Sequence, residues 1–205
     1  MATYWIRGIV YALLAAALAQ ISMLEALRFP PDQRFSEFGF IEFTQSAILA
    51  FTVAVLVIAD WRSKVAEPLL RCMALAFAIL LIRENDQVLE LWLPHGIWKW
   101  PAGLVFVAML AVFWRNRQAV FEQLDVLAKT PAMGVLFTGF ATLVFSRLFG
   151  RTDFWMAVME DRYWRPVKNA AEEGLELFAL GLLAAGVVEW LLARRKQPEV
   201  QQGTQ

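Results

Sequence analysis

The sequence predicts an all-α fold, a polytopic integral membrane helical bundle with about six transmembrane helices. Of the 205 residues, 59% are hydrophobic, and the mean hydropathy of +0.50 is too high for a water-soluble domain. The apolar residues are also grouped into blocks with almost no charge, such as 104–114 and 134–146, which short polar stretches separate. This pattern is typical of repeated membrane crossings.

Six crossings account for these blocks, and each approaches the roughly 20 residues that a bilayer requires. They are predicted at residues 4–28, 38–59, 69–93, 100–114, 132–149 and 167–193. Apolar residues at helical spacing also predict short helices in two connecting segments, 117–130 and 152–163. Residues 1–196 therefore form a single predicted transmembrane domain, and the polar residues 197–205 form a disordered cytoplasmic tail.

The basic residues predict the orientation of the bundle. An even number of crossings places both termini on one side, and compact basic clusters lie at 61–64, 114–117 and 194–196, at the ends of predicted spans. Because basic residues concentrate in cytoplasmic loops, both termini are expected in the cytoplasm of a multi-pass protein of the cell inner membrane. An alternative for residues 1–19 is a cleaved signal peptide with small residues at its end.

The tryptophans fit two belts at the membrane interfaces. The predicted cytoplasmic belt contains Trp5, Trp61, Trp114 and Trp190, and the outer belt contains Trp92, Trp98, Trp100, Trp155 and Trp164.

Composition and missing motifs exclude several classes of function. The net charge is +0, and no basic run is interleaved with aromatic residues, so no nucleic-acid partner is expected. The single Cys72 cannot form an intramolecular disulfide, and the single His95 excludes a multi-histidine zinc site within one chain. The sequence contains no Walker loop, GxSxG, HExxH or CxxC motif, so it assigns no catalytic residue.

The third predicted span is unusual because it carries charge. Its uncharged stretch, Cys72–Ile82, is about 16 Å long at helical rise, roughly half of a 30 Å hydrocarbon core. A helix that continues to residue 93 carries Arg83, Asp86 and Glu90 on one face, since they are spaced three and four residues apart. Lipid does not accept such a face, so we expect it to point into the bundle.

Other predicted spans add carboxylates at the same outer level. Glu42 lies near the start of the second span, and Glu173 and Glu176 lie one turn apart on the sixth. Ionisable groups at membrane depth each cost about 2.5–3.5 kcal/mol and mark functional sites. The predicted ligand-binding residues are Glu42, Arg83, Glu84, Asp86, Glu90, His95, Glu173 and Glu176. The alternative is that the hydrocarbon ends earlier and these groups are solvated singly.

Three functions fit this acidic layer. The first is a cation-linked or proton-linked binding or transport site, with a divalent cation as its candidate cofactor and a lipid or small cation as its ligand. The second is a non-catalytic assembly or scaffold subunit with an oligomeric partner in the lipid bilayer. The third is a metal-dependent membrane hydrolase that acts on lipid, with His95 as its acid–base group.

Overall fold

The computed structural model describes residues 2–30, 34–35, 39–63, 65–92 and 94–195, and these ranges contain helices and loops but no strand. The helices are α1 (Ala2–Arg28), α2 (Phe40–Arg62), α3 (Pro68–Glu84), α4 (Asp86–Glu90), α5 (Lys99–Arg115), α6 (Arg117–Ala128), α7 (Pro131–Phe149), α8 (Thr152–Met159) and α9 (Arg165–Arg195), with a 3-10 turn at Glu160–Arg162. The all-α prediction is confirmed, and so are the short helices α6 and α8. The predicted disordered tail, 197–205, lies outside the described residues.

Four of the described helices are long and apolar enough to cross a membrane, judged by length and composition. They are α1, α2, α7 and α9. A fifth candidate is formed by α5 and α6 if they are taken together, although they are bent by 90° at their junction. These helices are compatible with a multi-pass membrane protein, and the six crossings stay a prediction.

The third predicted span is shorter than expected because its helix is interrupted at Asn85. This residue separates α3 from α4 with φ −101° and ψ 21°. Its side-chain amide donates hydrogen bonds to the Leu81 carbonyl at 2.9 Å and to the Ser46 hydroxyl at 3.0 Å. Both bonds hold the side chain against α2 and α3. The continuous helix predicted for this span is therefore interrupted at Asn85.

The chain divides into two compact units, each built from two segments. Unit 1 contains Met1–Gln45 and Phe137–Ala185, and unit 2 contains Ser46–Leu136 and Gly186–Gln205. Three helices, α2, α7 and α9, contribute residues to both units.

Helix α9 is the centre of unit 1. Its residues Leu177, Ala179 and Leu180 are buried. A Cβ on Gly181 would lie 2.6 Å from Leu18 Cδ1, so α1 approaches α9 closely at this glycine. A second close approach joins α7 to α9 at Gly139. Small residues allow such helix contacts because they let two backbones come together.

In unit 2, α3 packs against α5 and α6. The Gln123 side chain of α6 accepts a hydrogen bond from the Leu69 N–H at 3.0 Å, which caps the first turn of α3. Arg194 of α9 forms an ion pair with Glu67, just before α3 begins. These contacts fix the start of α3 from two directions.

Large apolar side chains cover much of the outer surface of the described residues. Trp5, Phe43, Trp61 and Phe137 are among those exposed. The predicted interfacial role of Trp190 is wrong, because this side chain is only 2% exposed. Its ring lies beneath the Arg194 guanidinium, 5.0 Å from the ring centre, so it packs inside unit 2 as a cation–π partner.

We expect Gly139→Ala to destabilise the protein and Gly134→Ala, in the same helix, to leave it equally or slightly more stable. A Cβ at residue 139 would lie 2.9 Å from Leu183 Cγ and 3.0 Å from the Leu183 nitrogen, so α7 would be pushed away from α9. A Cβ at residue 134 meets no described atom within 4 Å, and alanine adds up to about 1 kcal/mol of helix propensity there. Thermal unfolding in detergent compares the variants, and equal melting temperatures would contradict the close approach.

Candidate functional site

The predicted site residues divide between the two units. Unit 1 contains Glu42 in the first turn of α2, together with Glu173 and Glu176 on α9. Unit 2 contains the other five, which are Arg83, Glu84, Asp86, Glu90 and His95.

The most enclosed carboxylate of unit 1 is Glu25, in the last turn but one of α1. The whole residue is buried, and its Oε2 atom accepts a hydrogen bond from the Ile41 N–H at 2.8 Å. The Gly39 carbonyl accepts the first helical bond of α2, from the Phe43 N–H at 3.2 Å, so Gly39 is the capping residue and has no side chain to cap with. Glu25 therefore supplies from α1 the oxygen that a serine or aspartate normally supplies locally.

Gly39 is required because the Glu25 carboxylate occupies the space beside it. A Cβ at residue 39 would lie 2.0 Å from Glu25 Oε1 and 2.5 Å from its Cδ. The carboxylate thus lies directly on the amino-terminal end of α2, where exposed N–H groups and the helix dipole favour negative charge.

Two buried oxygen atoms in this region have no hydrogen-bond partner among the described residues. One is Glu25 Oε1, and the other is Oε1 of Gln45. Gln45 lies one helical turn after Ile41, on the same face of α2. Buried polar atoms are nearly always hydrogen-bonded, because a buried group without a partner costs about 1–3 kcal/mol. Both oxygens therefore need a donor.

The Gln45 amide connects α2 to α9. Its Nε2 atom donates to Glu173 Oε2 at 3.3 Å and to the Glu173 carbonyl at 3.4 Å. Because both Glu173 atoms are acceptors, the amide nitrogen must face α9, and the Gln45 oxygen must face away from them. The orientation of this side chain is thereby defined.

Basic residues pair with two further acids of α9 in unit 1. Arg147 of α7 forms an ion pair with Glu176, which is 3% exposed, and a longer one with Glu172 at 3.4 Å. Lys168 also contacts Glu172, at 2.6 Å. The Arg147 pairs join α7 to α9, and the Lys168 pair lies within α9.

Unit 2 holds its predicted residues differently. The Arg83 side chain is 37% exposed and contacts the neighbouring Glu84 carboxylate at 3.3 Å, with Glu84 itself only 7% exposed. Asp86 is half-buried in the first turn of α4. The predicted face of Arg83, Asp86 and Glu90 is divided between two helices, since Arg83 lies in α3 and the other two residues lie in α4.

Glu90 and His95 come together in the turn that follows α4. Glu90 Oε2 lies 2.6 Å from His95 Nδ1, and Glu90 Oε1 accepts a hydrogen bond from the Gly96 N–H at 2.7 Å. Gly96 has a positive φ of 80°, which suits glycine in a tight turn. The Gly96 N–H lowers the pKa of the Glu90 carboxyl most, and the His95 hydrogen bond lowers it further. The Glu90–His95 pair stabilises this turn, and the His95 side chain is 93% exposed.

Sequence reasoning did not select Glu25 and Gln45 as site residues. The available signal is Gly39, which begins α2 without a side chain to cap it. A helix that begins at glycine needs a capping group from elsewhere, but the sequence does not identify the donor. Among the described residues, no three His, Cys, Asp or Glu side chains form a group that could hold a metal ion.

Removing the Glu25 cap should destabilise the protein. Glu25→Ala leaves the buried Ile41 N–H without its acceptor, a loss of about 1–3 kcal/mol. Glu25→Gln keeps one carbonyl oxygen and should cost less. Gly39→Ala places a methyl group against the carboxylate, so it should be damaging, whereas Gly8→Ala, with open space around its Cβ, is the matched control. Denaturant unfolding in detergent measures all four, and wild-type stability of Glu25→Ala would refute the capping role.

The Glu90 turn should loosen in acid. Because the pKa of Glu90 is lowered from its ordinary value near 4.5, its stabilising contribution is present at neutral pH and is lost as the pH falls through the lowered pKa. The amide proton of Gly96 reports this directly, since it donates to the carboxylate. Its NMR shift should titrate with a midpoint below 4.5, and Glu90→Gln should abolish the titration. A midpoint at or above the ordinary value would contradict the geometry.

Comparisons with known proteins identify no relative of this chain. No protein-family model matches it, and no match is found among curated proteins or solved structures. The chemistry of the described residues is therefore the basis for a functional assignment.

Proposed function

We propose that this chain is a polytopic membrane protein whose unit 1 binds a proton at Glu25, as part of a proton-linked binding or transport site. Gln45 and Glu173 extend the site from Glu25 to α9, and Arg147 and Lys168 balance part of its charge. In this proposal the protein lies in the cell inner membrane with both termini in the cytoplasm, as the basic clusters at the span ends predict.

The membrane assignment is supported by apolar surface as well as by helix length. Soluble monomers rarely expose contiguous apolar patches larger than a few hundred Å². Here exposed large apolar side chains recur along the four helices that are long enough to cross, for example Leu13, Phe51, Phe137 and Leu192. Surrounding lipid would cover such side chains without cost.

The observation that carries the proton assignment is the buried Glu25 Oε1 atom, which has no partner among the described residues. A proton bound to Glu25 Oε1 converts this atom from a hydrogen-bond acceptor that lacks a donor into an O–H group that donates. The acceptor that such a donor needs is a buried oxygen that itself has no donor, and Gln45 Oε1 is one. In the proposed site, this O–H group donates to Gln45 Oε1, so that one proton satisfies both oxygens.

The site also has a defined deprotonated form. After the proton leaves, the carboxylate still accepts the Ile41 N–H and lies on the positive end of the α2 dipole. The two forms differ at a single oxygen, and the rest of the pocket is fixed by Gly39 and by the Gln45 contacts to α9. A group that is stable in two protonation states is what proton-linked binding requires. A divalent cation remains the candidate cofactor for a cation-linked form of the site.

The scaffold function is the second candidate, because specific contacts favour it. The Arg147 ion pairs join α7 to α9, and such contacts fix helix packing whether or not the site titrates. The hydrolase function would place acid–base chemistry on His95. In the structure, Glu90 holds both His95 and the backbone of the turn, which is an arrangement that stabilises the turn.

Infrared difference spectroscopy during a pH titration tests the proposal. Protonated carboxyl groups have a C=O stretching band that carboxylates lack. We expect one such band to appear and disappear with pH in the wild-type protein and to be missing in Glu25→Gln. Glu122→Gln, which changes an exposed carboxylate of α6, is the matched control and should retain the band.

The outcomes separate the candidates. A band that persists in Glu25→Gln would exclude Glu25 as the proton carrier. The absence of any titrating band that Glu25→Gln changes, with the wild-type fold intact, would favour the scaffold function. Loss of the band on adding Ca²⁺ or Mg²⁺ would indicate that the cation replaces the proton.

A further inference from the structure

Unit 2 contains a groove that is apolar along its length and basic at one end. It has a volume of about 640 Å³ and lies between the carboxyl-terminal parts of α2 and α9. Its apolar lining includes Phe51, Val55 and Ile58 from α2 and Leu191 and Leu192 from α9. These residues recur at helical spacing on facing sides of the two helices.

One end of this groove is polar and positively charged. Arg62, Ser63 and Arg194 line it, where α2 ends and α9 approaches its own end. Arg194 is engaged by Glu67 and by the Trp190 ring, so Arg62 is the more accessible of the two basic groups. The Ser63 hydroxyl contacts the Val65 carbonyl at 2.9 Å. A positive end on an apolar groove matches a molecule with an anionic head and a hydrocarbon chain.

The length of the groove indicates which amphiphile fits. From Phe51 to Arg62, α2 rises roughly 16 Å, which is about half of a 30 Å hydrocarbon core. That distance is the depth of one bilayer leaflet. Trp61 is exposed next to Arg62, as is typical of a tryptophan at the membrane interface. The charged end of the groove thus lies at the level of the lipid headgroups, and the apolar lining of the groove matches one acyl chain that extends toward the bilayer centre.

We infer that the groove binds an anionic phospholipid, with its phosphate at Arg62 and one acyl chain along Phe51, Val55 and Ile58. The inference rests on the proposed membrane location but is independent of the proton site in unit 1. Arg62 provides a charge-assisted hydrogen bond to the phosphate, which is the strong kind. The net charge of the head decides binding, so a zwitterionic phospholipid should occupy the groove less well.

The test uses the full-length protein, delipidated in detergent, and native mass spectrometry with phosphatidylglycerol or phosphatidylcholine. We expect the wild type to retain phosphatidylglycerol preferentially. Arg62→Gln should weaken this retention about tenfold or more, as expected for loss of one charge-assisted hydrogen bond. Ala59→Leu, which adds volume inside the groove, should weaken retention of both lipids. Arg115→Gln, at the end of α5 outside the groove lining, is the control and should behave as wild type.

Several results would overturn the inference. Equal retention of the two lipids would do so, and so would equal losses in Arg62→Gln and Arg115→Gln, because bulk electrostatic attraction would then explain the binding. Glycerol phosphate that displaces phosphatidylglycerol at similar concentrations would show that the acyl chain contributes nothing. Glu25→Gln should still retain phosphatidylglycerol, so failure of the proton site and failure of the lipid site are separate results.

Discussion

The position of the Glu25 carboxylate on the amino-terminal end of α2 is the contact on which unit 1 depends. A buried carboxylate is tolerated only where donors or positive charge meet it, and here the Ile41 N–H and the helix dipole do so. Because the contact fixes where α2 begins, it also fixes which side chains follow on the same face. Gln45 is one turn later, and it reaches Glu173 on α9. The register of α2, which is set at Gly39, therefore determines the hydrogen bonds that connect α1 through α2 to α9.

In unit 2, a neutral side chain from another helix caps a helix in the same way. Helix α3 begins with Pro68, which has no N–H, and the next N–H, that of Leu69, is capped by Gln123 from α6. In both units the first turn of a helix is completed by a side chain from another helix. A cap of this kind couples two helices. If either helix shifted along its axis, the capping side chain of one would no longer reach the N–H group of the other.

The sequence predicts the local features of this fold well and the distant contacts poorly. Apolar periodicity is a property of neighbouring residues, and it correctly predicts helices such as α6 and α8. The end of α3 depends on Asn85 reaching Ser46 of another helix, and Trp190 depends on packing inside unit 2, so local pattern misplaces both. The acids Glu173 and Glu176 of α9 are recognised from their spacing. The capping of α2 by Glu25 is indicated in the local sequence only by Gly39, the glycine that the carboxylate contacts.

The charges at the two ends of helix α2 match the helix dipole. The Glu25 carboxylate and Glu42 lie at its amino-terminal end, and Arg62 lies in its last turn, so each charge has the sign that its end of the helix favours. In the proposed site, a proton on Glu25 removes the negative charge from the amino-terminal end and weakens that interaction. Conversely, loss of helical structure in the first turn of α2 would remove the N–H groups that stabilise the carboxylate, and would favour the protonated form. If Glu25 binds a proton as proposed, that binding and order in the first turn of α2 are thermodynamically linked, so a ligand that orders this turn favours release of the proton.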